Sequence, residues 1–369
     1  MNDCEQLLAR LIACPTQNPG GDEVALCELL ADELESRGAD EITLERVPRI
    51  RDGEKAIGAY VFARWGQPTT IINVHVDTVP ANTGWSTDPW KAEVTADRVV
   101  GLGAADTKGA IASTLVALDR ERPESFGVLF SGDEERGGTC MRAFLQSDAA
   151  QPVRRAIVCE PTGRFAGVRH RGVAGYRAEV KGSGGHSSGA DVMPKPIVTM
   201  ARLAVELDEL GREYLSRGPD DMKGICLNVA GLDGGVAFNV VPDRASLTWS
   251  IRPPPDFDEA SWQREVAERI ARAGDDIRVT TLLDHSPFAI ADEAWVRDLV
   301  GDFVEGLAPL QFWTEAAVMA KAGIDAVVIG PGHIARAHAA NEYVTIDDLY
   351  WAVDLFRHVI KECRSRATR

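Results

Sequence analysis

The chain has 369 residues, 45% hydrophobic and 26% charged, with a formal net charge of −16; this is a globular composition at a length that suits about two domains. The acidic excess argues against nucleic acid as the main partner, since a phosphate backbone calls for a basic face. No stretch approaches the roughly 20 apolar residues of a membrane span.

The chain opens MNDCEQLLARLIAC, with acidic and polar residues first and apolar positions at helical spacing, so a signal peptide is not expected. Seven cysteines lie scattered without a CxxC pair, which points to a reducing compartment, the cytoplasm. Two helices are predicted, CEQLLARLIAC and then EVALCELLADELESRG with Gly38 as its stop. Short apolar runs of strand length follow: AYVFARW, TTIINVHV, GVLFSG, RRAIVCE and, much later, DAVVIG. Several are unbroken by charge, as strands covered on both faces are. Helical patterns such as GAIASTLVALDR and GTCMRAFLQSD lie between them, so the expected class is α/β with a mainly parallel sheet sandwiched by helices.

The middle of the chain reads differently. GVAGYRAEVKGSGG, ICLNVAGLDGG, ASLTWSIRP and IRVTTLL alternate like strands, and PIVTMARLAVELDEL and DEASWQREVAERIARAG are amphipathic helices. The order β-α-β-β-α-β predicts an inserted ferredoxin-like α+β domain. The expected division is 1–172 and 284–369 for the catalytic domain and 173–283 for the insert.

The chemical signal sits where the predicted strands end. TTIINVHVDTVP finishes on His75 and Asp77, GVLFSGDEE on Asp133, Glu134 and Glu135, and RRAIVCEPT on Glu160. Asp106 lies in the glycine-rich GLGAADTKGA before a helix, and DAVVIGPGHIARAH reaches His338. Open α/β sheets bind ligands at the carboxyl ends of their strands. Two histidines and three carboxylates suit a pair of zinc ions, and a carboxylate on a tight loop, Asp106, suits the bridge between them. Asp77, two residues after His75, points the same way on a strand and can support the imidazole. Of the adjacent Glu134 and Glu135, one can bind metal while the other takes a proton from water. Each element alone is weak. A single HxD is commonly incidental, acids after a strand usually form a solvated loop, and Cys159 on its strand reads as a buried hydrophobe. The combination carries the argument.

The segments NVHVDTVP, GLGAADTKGA, SGDEE, CEPT, GSGGHSS, FNVVPDRASLTWSIRP, FWTEA and GPGHIARAHAANEYV together resemble the zinc amidohydrolase and peptidase family of acetylornithine deacetylase, succinyl-diaminopimelate desuccinylase and the glutamate-releasing carboxypeptidases. The resemblance spans nearly the whole chain in the family's order. It implies a zinc-peptidase-like catalytic domain whose inserted domain serves as lid and dimerisation element. By the resemblance, His75 and Glu160 bind one zinc, Glu135 and His338 the other, Asp106 bridges, Glu134 is the general base and Asp77 supports His75. It further implies that His186, in GGHSS, stabilises the oxyanion, from its own chain or from the partner subunit of a dimer. Asn239 and Arg252 match positions that contact the substrate carboxylate, and Gly332 matches the acyl-site loop. The resemblance also implies a cis peptide between Asp106 and Thr107. On their own residues, His186 would pass for a loop histidine and Arg252 for a solvated strand end.

GPGxIxxAH and FWTEA are most similar to the acetylornithine and N-acetylcitrulline deacetylase branch of arginine biosynthesis. Asn341, where an acid is common, and Cys159, where a small residue is common, depart from the pattern. His170, in VRHRG, is read as a histidine on a connecting loop. The expected cofactor is zinc, two ions per chain, with cobalt able to substitute; the expected partner is a small N-acyl amino acid, and the expected assembly a homodimer. The alternatives are a desuccinylase, a carboxypeptidase or dipeptidase, and a non-catalytic amino-acid binding protein on the same fold.

Overall fold

The computed structural model describes residues 4–51 and 54–367. The chain forms two compact units. The first takes the chain up to Val168, then Ile290–Ala308 and everything from Thr314 on; the second takes Arg169–Ala289 and Pro309–Trp313.

In the first unit, helix Cys4–Ile12 buries Leu7, Leu8, Leu11 and Ile12, one apolar stripe at helical spacing. Helix Glu23–Ser36 starts where the Asp22 side chain accepts from the Ala25 N–H at 3.0 Å, and the chain leaves it through Gly38 at φ +71°, a conformation glycine takes without a Cβ clash. The sheet behind these helices is mixed. Its middle is parallel: Phe126–Ser131, Thr70–His75, Arg155–Val158 and Asp325–Val328 pair in that order. Thr70–His75 is buried at every position, as a strand covered on both faces must be. The flanks are antiparallel. Glu54–Trp65 pairs with Phe126–Ser131 and then with Glu41–Arg51 on one side, and Phe165–His170 pairs with Asp325–Val328 on the other. Helices Gly109–Arg120 and Ile346–Ala367 pack together in this unit. Strand Glu41–Arg51 is absent from the sequence reading because its apolar residues, Ile42, Leu44, Val47 and Ile50, break the two-residue spacing among charged neighbours, so no apolar period marks it.

The second unit has the ferredoxin-like order. Strands Val173–Lys181, Asn228–Gly234, Arg244–Ile251 and Arg278–His285 alternate with helices Pro196–Tyr214 and Glu259–Ala273. The sheet runs Asn228–Gly234, Arg244–Ile251, Val173–Lys181, Arg278–His285, every pair antiparallel. Alternate residues of two strands, Ala178, Val180, Ala245, Leu247 and Trp249, meet Met200, Leu203 and Leu207 of the first helix in one apolar core. His170 corrects the sequence reading: it is the last residue of strand Phe165–His170 and is fully buried. Its ring lies 5.2 Å from that of Phe288, with Nδ1 2.8 Å from the Arg171 carbonyl. Flanking arginines disguise it as a loop residue. No helix among the described residues is long and apolar enough to cross a membrane.

Candidate active site and metal centre

The parallel strands of the first unit deliver acid and imidazole to one edge. His75 is the last residue of Thr70–His75, Glu160 follows Arg155–Val158 by two residues, and Glu134 and Glu135 follow Phe126–Ser131. Asp106 comes from the irregular turn Ala104–Lys108 and His338 from the loop after Asp325–Val328. The Asp106–Thr107 peptide is cis.

These residues form two groups of potential ligands, His75, Asp106 and Glu160, and Asp106, Glu135 and His338, with the ligand atoms of each group within 4.8 Å of one another. Asp106 belongs to both. Its Oδ1 lies 3.0 Å from His75 Nε2 and its Oδ2 3.4 Å from His338 Nε2, so its two oxygens face two sites. His338 Nε2 also meets Glu135 Oε1 at 3.0 Å. His75 Nδ1 lies 2.9 Å from the Asp77 backbone carbonyl. A carbonyl only accepts, so Nδ1 carries the proton and Nε2 faces the ligand side. The Asp77 carboxylate is 3.6 Å from that ring; it mainly accepts the Glu134 N–H at 3.1 Å and the Glu135 N–H at 3.2 Å. Asp77 therefore holds the acid loop as well as the histidine.

The electrostatics of the cluster follow from its crowding. Burial, then neighbouring Glu160, pushes Glu134 well above the ordinary carboxylate range. Burial also pushes Glu160 well above it, against the pull of His75, and raises Glu135 against His338. Asp106 is the exception: burial opposes ionisation, but His338 and His75 hold it below the ordinary range. Burial disfavours charge on His75, yet Asp106 and Asp77 keep its pKa well above 6.5. Asp106 and Glu135 raise His338 to about 11. Buried and half-buried carboxylates crowd this edge, and divalent cations would offset their charge with a donor set of imidazole and carboxylate that fits zinc.

The sequence reading assigned no contact to two further acids. Glu342 is buried and accepts the backbone N–H groups of Gly103, Ala105 and Asp106, each at 2.9 Å; it fixes the turn that presents Asp106. Glu315, in FWTEA, is buried and accepts from Ser131 Oγ at 2.7 Å. Their signal was present only as letters of the two family segments. Asn341 accepts from the Ser86 N–H and Oγ at 2.9 and 2.8 Å, and Asn82 Nδ2 donates to the His338 carbonyl, so the loop bearing His338 is clamped from residues 82–86. Gly332, at φ +88°, lies against the same turn: a Cβ there would come 3.1 Å from Ala105 Cβ. Cys159 is buried.

The remaining predicted residues lie in the second unit. His186 and Asn239 come together, because Gly185–His186 pairs with Val240–Val241 and the Ser187 N–H donates to the Asn239 carbonyl at 3.1 Å. His186 is exposed, with Nδ1 2.8 Å from Ser188 Oγ. Arg252 follows strand Arg244–Ile251; its N–H donates to the Ile225 carbonyl at 2.6 Å and its own carbonyl accepts from Arg171 at 3.0 Å.

Burial pushes Glu315 up to about 7, with Ser131 pulling the other way. The folded chain then keeps this proton between about pH 4.5 and 7 while the unfolded chain has lost it. Glu315 therefore costs the metal-free chain stability that grows as pH rises through this window, on the order of 3 kcal/mol in full. Glu315→Gln removes the titration. In urea unfolding with a chelator present, the variant is expected to match the parent near pH 4.5 and to exceed it at pH 7.5. Equal stability at both would show that Glu315 titrates normally.

The chain is 31% identical to the N-acetyl-L-citrulline deacetylase of Xanthomonas campestris pv. campestris, over 85% of this chain and 87% of that one. It is 31% identical to the acetylornithine deacetylase of Myxococcus xanthus, over 77% of each. The fold matches the M20 family metallo-carboxypeptidase Sso-CP2 from Sulfolobus solfataricus with a TM-score of 0.78 at 18% identity, covering 98% of this chain and 99% of that one. Residues 71–362 match the profile of peptidase family M20/M25/M40, a span that holds every ligand of the two groups, and the chain belongs to that family of enzymes.

Proposed function

We propose that the chain is a two-zinc amidohydrolase that removes the acetyl group from the α-nitrogen of an amino acid, N-acetylornithine or N-acetylcitrulline, in arginine biosynthesis. The observation that carries this reading is the pair of ligand groups sharing Asp106, with Glu134 on the same acid loop. His75 and Glu160 would hold one ion, Glu135 and His338 the other, and Asp106 both. Zinc ions, when bound, supply Lewis-acid activation of water and of the amide carbonyl. Glu134 takes the proton of the attacking water and returns it to the leaving amine nitrogen. Asp77 keeps Glu134 in place through its backbone N–H. His186 donates to the oxyanion, which an unreactive amide requires. The Arg252 guanidinium, with Asn239, pairs with the substrate α-carboxylate, and Gly332 lines the acyl site. The names of the two deacetylase relatives support the acetyl group as the one removed.

We place the enzyme in the cytoplasm, a reading supported by its free cysteines. We further propose a homodimer formed through the second unit, whose exposed Val236 and Phe238 support a partner surface there. Zinc-loaded protein offered acetylornithine, acetylcitrulline, succinyl-diaminopimelate, acylglutamates and dipeptides should release acetate from the first two fastest. Turnover confined to the succinyl compound or to dipeptides would assign it to another branch, and binding without turnover would make it a binding protein.

His186→Ala is expected to lower kcat about 10²-fold or more, the scale of other oxyanion donors, with zinc retained. Mixing this variant with Glu134→Gln identifies the histidine's source. Where His186 acts across the dimer, a mixed dimer has one site with both native groups and activity partly returns. Where it acts within its own chain, mixing restores nothing even after proven subunit exchange.

A further inference from the structure

Behind the acid loop of the first unit lies a buried polar group of which the reaction scheme uses only Asp77. Asn18, Glu23, Asp77 and Asp133 are all buried. Asn18 Nδ2 lies 3.2 Å from Glu23 Oε1, 3.1 Å from Asp77 Oδ2 and 3.2 Å from Asp133 Oδ1, so one amide ties three carboxylates together. Arg49, from the flanking strand Glu41–Arg51, enters this group with its side chain 8% exposed. Its guanidinium donates to both oxygens of Glu23, at 3.0 and 2.6 Å, and Nη1 meets Asp133 Oδ1 at 3.1 Å.

Space is built for this guanidinium. A Cβ at Gly58 would come 2.7 Å from Arg49 Nη1 and 2.6 Å from Cys140 Sγ, and a Cβ at Gly132 would come 2.1 Å from Glu23 Oε2. Both glycines have ordinary backbone angles, so it is room for the polar group, not conformational freedom, that they provide.

The group leads directly to the acid loop. Asp133 begins that loop at φ +72°, and its Oδ2 accepts the Thr139 N–H at 3.2 Å where the loop ends. Asp77, the other carboxylate on Asn18, accepts the N–H groups of Glu134 and Glu135. The backbone of 133–135 thus hangs from two carboxylates, and Arg49 supplies charge and a fixed fork beside Asp133. Asn18, Glu23 and Arg49 all precede residue 71, where the family match begins.

We infer that Arg49 is a positioning residue for the hydrolytic site, its fork to Glu23 and Asp133 setting the backbone that presents Glu134 and Glu135. This rests on the proposed roles of Glu134 as base and Glu135 as metal ligand. Lysine keeps the charge but cannot make the two-armed contact, so Arg49→Lys separates geometry from neutralisation, and Arg49→Met removes both.

The test uses the full chain loaded with cobalt, whose visible absorption reports coordination, and with zinc for kinetics. Arg49→Lys is expected to fold, to lower kcat by about 10-fold with KM within about threefold of the parent, and to alter the cobalt spectrum. Arg49→Met is expected to lie towards the 100-fold end of the range seen when residues supporting metal ligands are replaced, with weaker retention of cobalt. Gly58→Ala, which displaces the guanidinium without changing any charge, should resemble Arg49→Lys. A parental kcat per folded molecule and an unchanged cobalt spectrum in Arg49→Lys would overturn the inference, whether or not Arg49→Met folds. A parent protein inactive on every acyl amino acid would sink the proposed reaction instead, while the cobalt spectra would still decide for or against Arg49.

Discussion

Glu134→Gln is expected to keep both metal ions and to lose about 10²–10⁴-fold in kcat, the scale of general-base catalysis. The substitution changes one oxygen to an amide nitrogen and removes no member of either ligand group. The backbone contact that fixes the residue, Glu134 N–H to Asp77 at 3.1 Å, is untouched. Glutamine cannot accept the proton of the attacking water, so the loss falls on kcat and not on binding. In the metal-free chain, burial and neighbouring Glu160 hold the Glu134 pKa well above the ordinary carboxylate range; bound cations oppose that shift. The check is elemental analysis beside steady-state kinetics. A variant with full zinc and near-parental kcat would assign the base elsewhere, and one that loses zinc would make Glu134 a ligand.

Asp106→Asn is expected to behave differently, losing both metals and activity together. Asp106 belongs to both ligand groups and faces His75 with one oxygen and His338 with the other. Asparagine keeps the shape but offers one neutral oxygen, so one site loses a ligand outright and the other loses charge. The loss should exceed the roughly 10–100-fold that outer partners of a metal ligand cost. Glu342 still holds the turn through three N–H groups, so the fold survives and circular dichroism should match the parent. A variant that binds one zinc normally and retains half the activity would show that the two sites do not share this carboxylate. The contrast between the two substitutions separates the proton acceptor from the bridge.

Much of this arrangement is legible in the sequence where physics writes it locally. An unbroken apolar run that stops on His75, and another that stops before Glu160, mark strand ends at one sheet edge, and the structure gathers His75, Asp106, Glu135, Glu160 and His338 there. The ferredoxin-like order was readable because four strand-like stretches and two amphipathic helices follow one another in the order of that fold, separated only by short connecting elements. Other features leave no local trace. Strand Glu41–Arg51 is a flank whose apolar residues, Ile42, Leu44, Val47 and Ile50, do not keep a two-residue spacing among its charged ones, so it lacks a period to detect. Arg49 and Glu342, and Asn18 towards Asp77 and Asp133, lie far in sequence from the residues they hold, and their letters are those of ordinary surface groups. Which of Glu134 and Glu135 binds metal, and any role for His186, came from the family resemblance. Neither adjacency nor a histidine among glycines and serines decides such roles.

The most direct test of the two-metal account is a titration of chelator-treated protein with zinc, followed by acetate release from acetylcitrulline or acetylornithine. The account predicts that activity rises with added zinc and levels off at two ions per chain, and that Asp106→Asn shows no such rise. Activity that is complete at one zinc, or that persists in Asp106→Asn, would contradict a site built on two ions sharing Asp106.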